Sequence, residues 1–254
     1  MLTLRKAMIA GLAATAFAAA TVPATAAGKP TIVLVHGAFA DGSSWNKVIP
    51  KLEADGYPVI AVQNPLTSLA DDVAATQRAI ALAQSPVVLV GHSWGGTVIT
   101  DAGNDPKVKA LVYVAAAAND PGGSFNDLTK GYPTPAGFGE IRVDDSGFAH
   151  LTDIGVAKYF AQDLKPRDIA LIAATQGPIR GANFDEKITD AAWSTKPSWY
   201  IVATEDHMIQ PDLERALAAK IKATTTELHT SHVPMVSDPA KVAAVIESAA
   251  TSVK

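Results

Sequence analysis

The sequence Gly91-His92-Ser93-Trp94-Gly95 predicts a sharp turn between a strand and a helix. The apolar run over 86–90 is typical of a buried strand, and residues 96–99 can begin a helix. Such a turn brings strand and helix into close contact, so positions 91 and 95 need residues without side chains. It also exposes the Ser93 hydroxyl beside a helix N-terminus, whose N–H groups stabilise negative charge. Ser93 is therefore a candidate nucleophile.

A nucleophilic serine needs a base, and the candidates are the six histidines: His36, His92, His150, His207, His229 and His232. His232 lies in a loop between a strand pattern over 224–229 and a helix pattern over 238–250. A loop at the carboxyl edge of a parallel sheet can bring a histidine to the serine, so we expect His232 to be the base. His229, at the end of the strand, is the alternative. We expect His92, inside the turn, to be structural.

The base in turn needs an acid that orients it. The strand pattern over 198–203 is followed by Thr204-Glu205-Asp206-His207, which places Asp206 at the carboxyl end of that strand. A helix then begins at Pro211. We expect Asp206 to be the acid. Its neighbour Glu205 and Asp120, which follows the strand over 108–117, are the alternatives.

An oxyanion hole needs two N–H donors. The first is expected from Trp94, the residue after Ser93. The apolar strand over 31–35 ends in His36-Gly37-Ala38-Phe39, where Gly37 permits a sharp turn of the backbone. We expect the second donor to be the N–H of Ala38, with Phe39 as the alternative. His36 is expected to brace this loop.

Strand and helix patterns alternate along the chain. The patterns predict strands at 31–36, 58–62, 86–91, 108–115, 198–203 and 224–229, with helices at 44–55, 70–84, 94–103, 211–221 and 238–250. This alternation predicts a mostly parallel sheet with helices on both faces. Residues 119–196 interrupt it, with two further helices expected at 152–163 and 166–176. We expect this insertion to form a lid over Ser93, and Phe39, Phe125, Tyr132 and Phe138 to line the substrate pocket.

Composition limits the class of protein. The chain has 254 residues, a formal net charge of −4 and no cysteine, which disfavours nucleic acid as a partner and excludes a disulfide framework. Arg5 and Lys6, the alanine-rich stretch over 7–20 and Ala24-Thr25-Ala26 have the pattern of a secretory signal. We expect cleavage after residue 26, export to the periplasm or medium, no membrane anchor afterwards, and one domain over 27–254.

These motifs together resemble the α/β-hydrolase superfamily, in particular its small esterase-like branch near plant methylesterases and hydroxynitrile lyases. The resemblance rests on His36-Gly37-Ala38, the segment over 91–96, Ala203-Thr204-Glu205-Asp206 and Ser231-His232-Val233-Pro234-Met235, and it is weaker over about 119–195. It implies an α/β-hydrolase fold with a lid after the strand that follows the nucleophile helix. The chain order Ser93, Asp206, His232 is the one that this superfamily uses.

The resemblance also implies the chemistry. It implies a serine hydrolase that cleaves a small or medium, largely uncharged carboxylic ester through an acyl-enzyme, without cofactor or metal. A lactone, thioester or amide hydrolase with the same residues and a non-catalytic small-molecule binder are the alternatives. The pattern of the lyases has threonine and lysine at the positions where this chain has Gly37 and Val233. We therefore expect hydrolysis and not the release of cyanide.

Overall fold

The computed structural model describes residues 28–253, and the expected signal segment, residues 1–26, lies outside them. The strands are β1 (Thr31–Val35), β2 (Val59–Val62), β3 (Val87–His92), β4 (Val108–Val114), β5 (Ile141–Val143), β6 (Phe148–Leu151), β7 (Ile179–Arg180), β8 (Ser198–Ala203) and β9 (Thr224–Leu228). Six of them form a parallel sheet in the order β2-β1-β3-β4-β8-β9. Every residue of β1, β3 and β8 is buried, as expected for central strands that are covered on both faces.

Helices cover this sheet. They are α1 (Ile49–Ala54), α2 (Leu69–Leu82), α3 (Trp94–Ala102), α4 (Phe125–Thr129), α5 (Asp153–Gly155), α6 (Pro166–Thr175), α7 (Pro211–Lys220), α8 (Pro234–Ser237) and α9 (Pro239–Ser252). The pair α2 and α3 packs against β1 and β3, whereas α9 packs with α1 and against β3, β4 and β8. None of the helices in the described part of the chain has the length and apolar character that a membrane crossing requires. The predicted parallel sheet with helices packed against it is present.

Two local predictions need correction. The helix expected at 44–55 is divided into a 3₁₀ turn, Gly42–Trp45, and α1, because Pro50 lacks an N–H and can only occupy a first helical turn. The helix expected at 152–163 is the single turn α5, continued by a π-helical segment, Val156–Phe160. The insertion also forms an antiparallel sheet, β5-β6-β7, whose strands of two to four residues are too short to show a pattern in sequence.

Close packing around the turn after β3 explains its glycines. A Cβ at Gly91 would lie 2.5 Å from the Gly95 oxygen, and one at Gly95 would lie 2.6 Å from the Val35 oxygen and 2.8 Å from the His36 oxygen. A Cβ at Gly96 would meet the oxygen of Ala117. These neighbours are backbone atoms, which cannot rotate away. The glycines therefore let α3 lie directly against β1 and β4.

We expect Gly95→Ala to lower the free energy of unfolding by about 1–3 kcal/mol, because the new methyl group forces the backbone of β1 and α3 apart. Urea denaturation measures this change. The matched control is Gly139→Ala, since a Cβ there has no heavy atom within 4 Å and should not destabilise the protein. Equal stability of the two variants would contradict the packing account.

Candidate active site

Ser93 lies between β3 and α3 in a strained backbone conformation. Its φ is 52° and its ψ is −121°, a region that non-glycine residues rarely occupy. Its N–H donates to the oxygen of Val114 at 3.2 Å, and its own oxygen accepts from the N–H groups of Gly96 at 2.9 Å and Ala117 at 3.2 Å. Strand β4 and helix α3 thus hold the strained residue from both sides.

A chain of hydrogen bonds links three buried side chains. The Ser93 hydroxyl lies 2.8 Å from His232 Nε2, and His232 Nδ1 lies 2.5 Å from Asp206 Oδ2. The other Asp206 oxygen, Oδ1, accepts from the N–H groups of Met208 at 2.6 Å and Ile209 at 2.9 Å. These two bonds fix the carboxylate, so its free oxygen faces the imidazole. In this arrangement Nδ1–H donates to Asp206, and Nε2 accepts a hydrogen bond from the Ser93 hydroxyl.

The alternatives considered for base and acid lie in surface pairs. His229 Nδ1 lies 3.3 Å from a carboxylate oxygen of Glu205, and their side chains are 84% and 49% exposed. Asp120, 60% exposed, pairs with Lys220 at 3.1 Å. His150 and His207 are exposed as well. The structure therefore brings His232 and Asp206 to Ser93 and leaves the alternatives at the surface.

The loop after β1 packs tightly against Ser93. A Cβ at Gly37 would lie 2.7 Å from the Cβ of Ser93, so Gly37 is needed for this close approach and not for a left-handed turn. Phe39, by contrast, has a φ of 56°. Within residues 28–253 the N–H groups of Ala38, Phe39 and Trp94 donate to no protein acceptor. Ala38 and Phe39 also border the cavity above Ser93, so both remain compatible with a second donor.

Two buried histidines brace these loops. His36 Nδ1 donates to the Gly37 oxygen at 2.8 Å, and its Nε2 accepts the Asn64 N–H at 2.9 Å. His92 Nε2 donates to the backbone oxygen of His232 at 2.7 Å. Burial lowers the pKa of His36, and burial together with the nearby His232 lowers that of His92 well below its usual value. Both rings are therefore neutral, and each donates a single hydrogen bond.

A cavity of about 210 Å³ opens above Ser93. Among residues 28–253, no lysine, arginine, aspartate or glutamate side chain lines this cavity. Phe39 and, from the insertion, Phe125 and Phe138 line it as expected, whereas Tyr132 does not and instead packs half-buried against the core after α4. The lining is completed by residues that the sequence patterns did not reveal: Asn126, Ile141, Val143, Ala149, Gly181, Phe184, Met208 and Ile209.

Two residues near the site were missed in sequence. Phe160 ends the π-helical segment and packs its ring 5.1 Å from the ring of His232. Asp72, fully buried on α2, accepts from the Trp94 indole N–H at 2.8 Å and from the Leu66 N–H at 2.8 Å. A signal for Asp72 existed, because it shares the apolar face of its helix with Leu69 and Val73. A carboxylate on such a face requires hydrogen-bond partners.

The sequence profile described as the alpha/beta hydrolase family matches residues 32–245. The chain belongs to this family. Among curated relatives, "Probable hydrolase R7" of Phoma sp. is 29% identical and aligns with 86% of this chain and 97% of its own length. "Methylesterase 2" of Arabidopsis thaliana is 28% identical (83% and 92%), and "Salicylic acid-binding protein 2" of Nicotiana tabacum is 29% identical (84% and 94%).

Solved structures support the same fold for this family member. The pyrethroid hydrolase from Sphingobium faniae superimposes with a TM-score of 0.76 at 22% identity, covering 88% of this chain and 98% of its own. Polyneuridine aldehyde esterase gives a TM-score of 0.74 at 20% identity, with 87% and 98% covered. The resemblance to the esterase-like branch of the superfamily is confirmed.

Within residues 28–253 no group of three histidine, cysteine, aspartate or glutamate side chains is arranged to hold a metal.

Asp72 makes the stability of this family member depend on pH. Burial raises the pKa of Asp72 from 3.8 to about 6, although its hydrogen bonds from Trp94 and Leu66 oppose the shift. The native state therefore binds an extra proton between about pH 4 and pH 6, and this contribution to stability is lost as the pH rises through 6. The full shift corresponds to at most about 3 kcal/mol.

We expect the free energy of unfolding of the wild type, relative to Asp72→Asn, to fall as the pH rises from 4.5 to 6.5. Urea denaturation of both proteins at several pH values measures the difference. Asp71→Asn is the control, since this side chain is exposed on the same helix. A difference between wild type and Asp72→Asn that stays constant with pH would show that Asp72 does not titrate in this range.

Proposed function

We propose that this hydrolase-family member is an esterase that cleaves uncharged carboxylic esters through an acyl-enzyme on Ser93. The observation that carries the proposal is the buried chain of hydrogen bonds from Ser93 through His232 to Asp206. Methylesterases and esterases among the relatives support ester hydrolysis as the reaction class.

Each residue has a role that its position supports. His232 removes the Ser93 proton as the hydroxyl attacks the ester carbonyl, and later returns it to the leaving alcohol. Asp206 orients the imidazole and balances its charge when it is protonated. The N–H groups of Trp94 and Ala38 stabilise the oxyanion, with Phe39 as the alternative to Ala38. Water, activated by the same histidine, then releases the acid.

The cavity supports an uncharged, largely apolar substrate. A charged group would lose its hydration there, and no lysine, arginine, aspartate or glutamate of the described chain lines the cavity to compensate. Phe125 and Phe138 line the same cavity as Ser93. We therefore propose small or medium acyl or alcohol groups as the substrate.

We expect Ser93→Ala, His232→Ala and Asp206→Asn each to lower kcat for p-nitrophenyl butyrate by about 10³–10⁴-fold without loss of fold. The serine variant should also fail to react with a fluorophosphonate, which labels one site in the wild type. Circular dichroism and thermal melting verify the fold.

The matched controls for these variants are His229→Ala and Asp120→Asn, which remove the surface alternatives. Both should keep kcat within about twofold, because neither side chain reaches Ser93. A Ser93→Ala variant with more than about a tenth of wild-type activity would exclude the proposal. Fluorophosphonate labelling without turnover of any ester would instead support the non-catalytic binder.

The insertion aromatics should set chain-length preference. We expect Phe125→Ala or Phe138→Ala to reduce kcat/KM for octanoate more than for butyrate, and least for acetate. Each methylene that loses its apolar contact forfeits about 0.8 kcal/mol, or roughly fourfold in kcat/KM. Steady-state kinetics on the three p-nitrophenyl esters measures the trend.

Tyr132→Ala is the control for this series, since Tyr132 comes from the same segment but does not line the cavity. It should change all three esters equally or not at all. Parallel losses across the esters for Phe125→Ala and Phe138→Ala would mean that these rings only stabilise the insertion.

A further inference from the structure

Glu214 is a buried carboxyl group to which the proposed reaction gives no role. It lies in the first turns of α7 with none of its surface exposed, on the same face as Leu213, Leu217 and Ala218. The neighbouring Arg215 does not pair with it, because this arginine binds Glu227 and Asp212 at the surface. A carboxylate in such surroundings is costly unless it is neutralised or hydrogen-bonded.

The contacts of Glu214 point to the acid of the triad. Its Oε2 accepts the N–H of Ala203, the last residue of β8, at 3.0 Å. Its Oε1 is buried and has no donor among residues 28–253. The same Ala203 accepts the N–H of Asp206 at 3.3 Å, which places the two acidic residues beside each other. Asp206 itself already accepts from Met208, Ile209 and His232. Two carboxyl groups are therefore buried side by side.

Ionised carboxylates are acceptors only, so two of them in contact need one shared proton. Asp206 has three donors that stabilise a negative charge, whereas Glu214 has the Ala203 N–H alone. The proton consequently belongs on Glu214. Burial, and next the charge of Asp206, raises the pKa of Glu214 well above its usual value.

We propose that Glu214 is a positioning residue for Asp206: as a neutral acid it accepts the Ala203 N–H through Oε2 and donates its own O–H to the Asp206 carboxylate. This inference rests on the proposed function of the triad. The hydrogen bond would fix the orientation of Asp206 relative to β8. It would also withdraw part of the negative charge that faces His232, and so weaken the attraction of Asp206 for a protonated imidazole.

Glu214→Gln and Glu214→Leu test the proposal as a matched pair. The glutamine amide accepts from Ala203 and donates to Asp206, so kcat should stay within about threefold of wild type. Leucine is apolar and makes neither hydrogen bond, so we expect kcat to fall about 10–100-fold while KM changes less than about twofold. The acidic limb of the pH–rate profile should move to higher pH by about 0.5–1 unit in the leucine variant only.

Infrared spectroscopy tests the proton directly and does not depend on the leucine variant folding. At pH 7 the wild type should show the carbonyl stretch of a protonated carboxylic acid, and Glu214→Gln should lack it. Glu227→Gln removes an exposed, ion-paired carboxylate and should keep the band. Absence of the band in the wild type would overturn the proposal.

Kinetics can also overturn it. Wild-type kcat and an unmoved acidic limb in a folded Glu214→Leu variant would do so, and so would equal losses in the glutamine and leucine variants. These results are separable from failure of the proposed function. An inactive Ser93→Ala beside a fully active Glu214→Leu refutes the role of Glu214 alone, whereas an active Ser93→Ala refutes the triad itself.

Discussion

The close contact between β3, α3 and the loop after β1 is the constraint on which the site depends. Glycine at positions 37, 91, 95 and 96 removes the side chains that would separate these elements. Ser93 must then adopt its positive φ, and hydrogen bonds to β4 and α3 hold it there. Strain at one residue is thus supported by the packing of the whole central sheet. The result is a serine hydroxyl held above the sheet, with helix N–H groups beside it.

Around this turn, the loops at the carboxyl edge of the sheet are tied to one another. His92, next to Ser93, donates to the backbone of His232, so the loop of His232 is attached to the turn of Ser93. His36 holds the neighbouring loop through Gly37 and Asn64. Trp94 is anchored to α2 through Asp72. Such bracing holds the groups of the proposed reaction in place before a substrate binds, which is the arrangement that efficient catalysis needs.

The central sheet could be predicted from sequence because most of its strands are short apolar runs that alternate with helix patterns. The candidate positions 93, 206 and 232 followed from the same pattern, since parallel strands bring their following loops to one edge. Within the insertion, the helix expected at 166–176 is present as α6, Pro166–Thr175. The small sheet could not be predicted, because its strands are two to four residues long. Contacts that join distant segments, such as that of Phe160 with His232, could not be predicted either. The buried acids Asp72 and Glu214 occupy apolar helix faces, but only three-dimensional contacts identify their partners.

The central claim is that Ser93 carries the acyl group during turnover. Rapid acid quenching of the reaction with p-nitrophenyl butyrate, followed by peptide mass spectrometry, tests it most directly. The account predicts a butyryl group on the peptide that contains Ser93, at that serine, and its absence from the Ser93→Ala protein. A butyryl group on another residue of an actively turning-over enzyme would contradict the account.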